Sequence, residues 1–221
     1  MDTKTSDLIA MLMPDLAKLS DEEWAARDRR VAEEQFRRDE ERRRKQGEQD
    51  SAILIANGLS PRHLGIGTYQ TPALDAVTRL PPGIWVLSGN AGCGKTTAAH
   101  AWLLVPWADV RPSAHQLMLV TSQEFARTSR YEGKIERCAD PARLVVDDLG
   151  VEYLDQRGSF LSDLDELIDL RWRREHPTLI TTNLDAGEFK ARYGLRLESR
   201  IRDEGGGLNV GGPDLRGGRR S

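Results

Sequence analysis

The sequence is short of several things, and each shortage excludes something. Only two of its 221 residues are cysteine, Cys93 and Cys138. Two cannot build a cysteine zinc site, and one lies inside a glycine-rich loop, so a structural disulfide is not expected and a reducing, cytoplasmic setting is. The four histidines, His63, His100, His115 and His176, show no metal-ligand spacing and read as ordinary surface or core residues. No stretch approaches the ~20 consecutive apolar residues of a membrane span, and the N-terminus has no small-residue cleavage pattern of a signal peptide. The net charge of −3 gives no overall basicity, so any contact with DNA has to come from a local patch or from several subunits placed around a strand. With 38% hydrophobic, 6% aromatic and 30% charged residues, the chain has material for one α/β domain with a modest core and a smaller appendage.

What is present centres on Ile84 to Thr97, IWVLSGNAGCGKTT. An apolar strand, Ile84 to Leu87, runs into Gly89, Asn90, Ala91, Gly92, Cys93, Gly94, Lys95 and Thr96, which fit G-x-x-x-x-G-K-[ST] without a mismatch. Glycines let the backbone curl so that successive N–H groups face a phosphate, and a helix starting at Lys95 adds its positive end. In that arrangement Lys95 reaches the β- and γ-phosphates and the Thr96 hydroxyl ligates magnesium, with Thr97 next along. The helix is expected to stop at Pro106.

Ahead of the loop, residues 1–58 differ in composition. Leu8 to Leu19 form a short apolar helix-like stretch interrupted near Pro14. Asp21 to Gln49 is almost wholly charged, with Trp24, Val31 and Phe36 as its only bulky apolar residues. So thin a stripe predicts a long exposed helix ending near Gly47. It can be a solvated link, or a docking arm whose first helix lies in a partner's groove. A lead-in segment follows, with a short helix capped by Ser60 and a second over Pro72 to Arg79. Arg62 and Tyr69 there are candidate contacts to a nucleotide base, or simply pack the domain's edge. No internal repeat is present.

After the phosphate loop, Gln116 to Thr121 reads as a strand, and Ser122 as the cap of a helix reaching Tyr131. Leu144 to Asp147 is a third strand that ends in acids, as the magnesium side of a phosphate-loop ATPase requires. Asp147 is the metal-side candidate and Asp148 the group that polarises the attacking water. Ser159 to Glu175 has helical apolar spacing through Phe160, Leu164, Leu167, Ile168 and Trp172. Thr178 to Thr182 is a fourth strand with Asn183 at its tip, placed to hold the lytic water or touch a γ-phosphate. Arg196 and Arg200, four residues apart, share a helix face. That face is either an exposed basic surface or one from which Arg200 reaches a neighbouring subunit's γ-phosphate. Leu208 to Val210 reads as a short fifth strand before a disordered tail, 217–221. The order of strands and helices predicts an α/β fold, a parallel five-stranded sheet between helices.

In this order, GNAGCGKT, LVVDDLG followed by Val151 and Glu152, PTLITT ending at Asn183, RLESRI and Gly212-Pro-Asp-Leu-Arg216 resemble the DnaC-type replicative helicase loaders and their phage relatives. They are also similar to the IstB-type transposition ATPases. The resemblance covers roughly residues 59–216. It implies an AAA+ fold with strand order 5-1-4-3-2, ATP and Mg2+ bound at the positions of Lys95, Thr96 and Asp147, and Asp148 in the water-activating place. It further implies Asn183 as the sensor and Arg200 as a finger given in trans. Two departures stand out. Few residues remain for a helical lid with a second sensor arginine, a role left to Arg216, and residues 1–58 carry no zinc module.

The expected function is therefore ATP-dependent loading of a hexameric replicative helicase onto single-stranded DNA by subunits assembled head to tail in a ring or spiral, with the N-terminal arm gripping the helicase. The alternatives are an IstB-like transposition helper and an adaptor that binds nucleotide without hydrolysing it. The presence of both Asp148 and Asn183 argues against the last. No membrane partner is expected.

Overall fold

In a computed structural model of the chain, the described residues are 20–64, 71–105, 113–127, 133–152 and 158–215. The apolar stretch before residue 20, Tyr69, Tyr131, Arg216 and the 217–221 tail, all singled out in the sequence, lie outside them. The chain divides into two compact units, residues 1–49 and 50–221.

Helix α1, Asp21–Ala56, dominates the described part of the first unit. It is mostly exposed, Phe36 at 64%, as its thin apolar stripe predicts. Ion pairs four residues apart lace it: Arg38 with Glu34 at 2.6 Å, Lys45 with Glu41 at 2.7 Å and Arg44 with Glu48 at 3.0 Å. The expected end at Gly47 is not observed. Gly47 costs about 1 kcal/mol inside a helix, but the flanking pairs offset part of this. Beyond it, Leu54 is buried and Ile53 packs beside it in a core cluster of the second unit, which draws the helix on to Ala56.

The second unit is built on a parallel sheet in the order β2-β3-β4-β1-β5, which read from the other edge is 5-1-4-3-2. The strands are β1 Ile84–Ser88, β2 Leu117–Thr121, β3 Arg143–Leu149, β4 Thr178–Thr182 and β5 Gly206–Asn209. Their apolar residues alternate between the faces, as a pleated strand requires. Ile84, Val86, Met118, Val120, Leu144, Val146 and Ile180 face one core, and Leu87, Leu117, Leu119, Val145 and Leu179 face the other. Both faces are covered, which is why the strands read as continuous apolar runs.

Over the second face lie α2, Pro72–Val77, and α3, Lys95–Leu104, whose Trp102 is fully buried. Over the first lie α4 Ser122–Arg127, α5 Lys134–Ala139, α6 Ser159–Arg173 and α7 Ala186–Glu204. Helix α7 is kinked at Gly194, where φ is 84° and ψ 171°.

Several boundaries differ from expectation for local reasons. The cap of α4 is Thr121, not Ser122. Thr121 Oγ1 accepts from the Glu124 N–H at 3.1 Å while the Glu124 carboxylate accepts from the Thr121 N–H at 3.1 Å, a reciprocal capping pair. Ser60 precedes a 3-10 turn, Pro61–His63, without a side-chain cap bond. β5 starts two residues early, and Val210 beyond it still donates its N–H to Ser88 O at 2.8 Å.

Candidate functional site

Loop 89–94 joins the end of β1 to the start of α3 at one end of the sheet. Gly92 lies in it with φ at 82°, a left-handed geometry that a β-carbon disfavours. Lys95, only 6% exposed, turns its ammonium back into the loop. It donates to Gly89 O at 2.7 Å, Asn90 O at 2.8 Å and Asn183 Oδ1 at 2.9 Å, with Cys93 Sγ at 3.7 Å. The contact with Asn183 follows from the sheet order: β4 pairs with β1 in register from Ile84–Thr178 to Ser88–Thr182, so the tip of β4 emerges beside the loop.

Across β4 lies the acidic side. Asp147 is 5% exposed, and the Thr96 hydroxyl donates toward both of its oxygens at 3.2 Å. Burial pushes the Asp147 carboxyl above the usual range. The Thr181 hydroxyl opposes that shift, the neighbouring Asp148 adds to it, and Thr96 opposes it. The register of β3 on β4 slips between Val146 and Leu149. Within the slip Asp148 takes a left-handed φ of 57°, uncommon for a residue with a side chain. Thr181 fixes this bulge. Its hydroxyl donates to Asp147 Oδ1 at 2.5 Å and accepts the Asp148 N–H at 2.9 Å. From the other side the Ser122 hydroxyl donates to Asp148 O at 2.7 Å.

The loop after β3 is pinned by Glu152, whose side chain is fully enclosed. It accepts from the Gly150 N–H at 2.7 Å, Tyr193 Oη at 2.7 Å and Arg192 at 2.9 Å. Burial opposes its charge, but the bonds from Tyr193, the backbone and Arg192 outweigh it and hold the carboxyl below the usual range. Burial, then Glu152, drives the Tyr193 hydroxyl far up.

Behind the loop, the His100 Nδ1–H donates to Thr96 O at 2.7 Å and its Nε2 accepts the Ser60 N–H at 3.2 Å. The His63 ring lies 4.1 Å from that of His100, with Nε2 3.4 Å from Thr97 Oγ1. Burial lowers the pKa of both imidazoles, and for His63 the proximity of His100 lowers it further.

The structure thus brings Lys95 to Asn183 and Thr96 to Asp147 as two hydrogen-bonded pairs from adjacent positions at the start of α3, with Asp148 next to Asp147. Arg200 makes its polar contacts elsewhere, with Asp165 at 3.5 Å and with Asp169, both on α6. Arg196 also meets Asp165, at 3.1 Å, with its own side chain 68% exposed. Arg62 is exposed. Thr181, Ser122, Glu152 and the two histidines were not legible as site residues. TLITT reads only as a strand, and nothing local marks which hydroxyl will face a carboxylate from another strand.

The residues fit a magnesium–nucleotide. A buried acid beside a hydroxyl at the foot of a glycine-rich loop is a donor set for Mg2+, which takes one or two protein ligands and completes its shell with phosphate oxygens and water. Among the described residues no cluster of three or more His, Cys, Asp or Glu offers an all-protein metal cage.

A parallel sheet of this order, with the phosphate loop between β1 and α3 and acids at the tip of β3, is the AAA+ P-loop fold. No protein-family model matches the chain, and no curated protein sequence does. Among solved structures it is similar to a DnaC helicase loader, with a TM-score of 0.55 and 20% identity over 68% of this chain and 99% of the other. It is also similar to AMPPCP-bound DnaA from Aquifex aeolicus, at 0.52 and 14% over 69% of this chain and 51% of the other. The replication initiator DnaA bound to AMPPCP and single-stranded DNA matches at 0.53 and 14%, with the same coverage. At these identities the likeness is one of fold. Among the described residues no helix is long and apolar enough to cross a membrane.

Proposed function

We propose that this protein is an ATPase that loads a hexameric replicative helicase onto single-stranded DNA, with ATP binding and hydrolysis controlling assembly and release. The observation that carries the reading is the pairing of Lys95 with Asn183 and of Thr96 with Asp147 at the ends of β1, β3 and β4, set in a domain whose fold matches 99% of a solved helicase-loader chain.

In this reading the amides of 89–94 and Lys95 hold the phosphates, and Thr96 and Asp147 hold Mg2+, with Thr97 following in the first turn of α3. Thr96 and Asp147 would hold the ion so that its charge offsets that of the phosphates. Asp148 polarises the attacking water from its bulge, and Asn183, held by Lys95, reports on the γ-phosphate. Arg200 serves the neighbouring subunit, exchanging Asp165 and Asp169 for a phosphate as subunits stack head to tail into a ring or spiral. That exchange makes turnover slow in the isolated subunit and faster on assembly or DNA binding. Residues 59–216 act as the ATPase domain and 217–221 as a tail. Residues 1–58 are the docking arm, whose long exposed α1 has too little apolar surface to bury itself.

The test is size-exclusion chromatography with light scattering of the protein and a replicative hexameric helicase from the same source, with ATP, with and without residues 1–50. A complex that requires the arm is expected. ATPase activity without any complex would overturn the loader reading and move the assignment to a transposition helper of the IstB type, for which transposase binding is the next assay.

A further inference from the structure

The last described residues do not leave the domain; they return across the phosphate loop. After β5 the Val210 N–H bonds to Ser88 O at 2.8 Å, and the Leu215 N–H bonds to Gly92 O at 3.0 Å. Between these anchors the backbone follows the loop closely. A β-carbon on Gly89 would stand 2.6 Å from Val210 O, and one on Gly94 would stand 3.5 Å from the Leu215 side chain. The tightest approach is acidic. A β-carbon on Gly92 would lie 1.9 Å from Asp214 Oδ1 and 2.3 Å from its Cγ, so the carboxylate fills the space that glycine leaves open. Asp214 is nonetheless exposed, and its position is not dictated by burial.

We propose that Asp214, carried on the strap Val210–Leu215, sets the affinity of the phosphate loop and discriminates between nucleotides by their phosphate charge. This rests on the nucleotide-binding reading above. The loop's amides and the start of α3 attract anions, and a fixed carboxylate at Gly92 occupies part of that favourable field. Incoming phosphates meet a like charge, and the repulsion grows with the number of phosphate charges, so a triphosphate is penalised more than a diphosphate. Relief comes from displacing the strap, which lacks a buried side chain between its anchors. Nucleotide binding therefore loosens Val210–Leu215.

The experiment is calorimetric titration of the full chain and of Asp214→Asn with MgATP and MgADP, together with hydrogen-exchange mass spectrometry of 206–215 with and without MgATP. Asn keeps the shape and removes the charge. Roughly tenfold tighter ATP binding is expected in the variant, a smaller gain for ADP, and faster exchange of the strap in the wild type on adding MgATP. Weaker binding by the variant would show that the carboxylate supports the loop, and overturns the proposal. So does wild-type ATP binding with unchanged strap exchange, while the nucleotide-binding reading then stands. A wild-type chain that binds neither nucleotide overturns both.

Discussion

Replacing Asp147 by Asn should move stability in opposite directions with and without ligand. In the free protein the carboxylate is buried and its pKa is raised chiefly by that burial. The sign follows from linkage. An acid whose folded pKa lies above its unfolded value of about 3.9 makes folding less favourable once it ionises. That cost is absent below about pH 4 and fully present above the folded pKa, so this site's contribution to stability falls as pH rises through that window. Asn carries no such cost. Its Oδ1 still accepts from Thr181, and its amide can donate to Thr96 Oγ1. The free variant should therefore melt higher than wild type at pH 7, by about 2–4 °C for each 1 kcal/mol recovered. With MgATP at 100 times its dissociation constant, wild type gains about 2.7 kcal/mol, a rise in Tm of about 5–11 °C. The variant should lose the part of that rise that depends on magnesium and keep the part supplied by the loop and Lys95. The assay is thermal unfolding at pH 5 and pH 7 with buffer, ATP plus EDTA, or ATP plus Mg2+. An equal magnesium-dependent rise in both proteins would remove Asp147 from the metal side. A lower Tm for the free variant at pH 7 would refute the burial argument.

Other perturbations separate the remaining roles. Lys95→Ala should abolish nucleotide binding measured by calorimetry, whereas Arg200→Ala should leave the monomer's ATP affinity within about twofold and reduce only assembled-state hydrolysis; equal losses of affinity would show Arg200 misassigned. Thr181→Val keeps the strand's shape but removes the hydroxyl that holds both acids, so kcat should fall by about 10–100-fold with KM little changed, measured by phosphate release. Arg171 is fully buried and donates five bonds, at 2.6 to 3.1 Å, to Thr178 Oγ1 and the carbonyls of Cys138, Ala139, Pro141 and Pro177. Burial lowers its pKa to about 9, which leaves it charged at neutral pH. Arg171→Met should cost about 3–5 kcal/mol and lower Tm by roughly 10 °C; a shift under 3 °C would mean the carbonyls find other partners.

The phosphate loop, the apolar strands and their parallel order were legible because each is a local pattern: an unbroken motif, a buried run, a helical spacing. Asp147 and Asn183 could be placed because a strand end fixes where its last residue emerges. What joins them was not legible. Thr181 has the same character as Thr182 in sequence, and only the slip of β3 on β4 decides that Thr181 bonds the acids while Thr182 bonds Leu149 O at 2.5 Å. Arg143 and Arg171 look like surface charges, yet both end in the interior on main-chain carbonyls. Arg143 closes α3 by bonding Trp102 O and Leu103 O at 3.1 Å. Helix α1 outran its glycine because a contact distant in sequence overrode a local signal. The return of Asp214 to Gly92 left no periodic trace at all.

Helix α7 is fastened at two points. Before Gly194, Arg192 and Tyr193 tie it through Glu152 to the loop that follows the acids; after Gly194, Arg196 and Arg200 tie it to α6. The joint between the fastenings is one residue whose backbone sits at φ 84°, a setting that resists any side chain. The two halves are therefore anchored to different parts of the same domain, the front to the loop that follows the acids and the rear to α6, and a single glycine sets the bend between them.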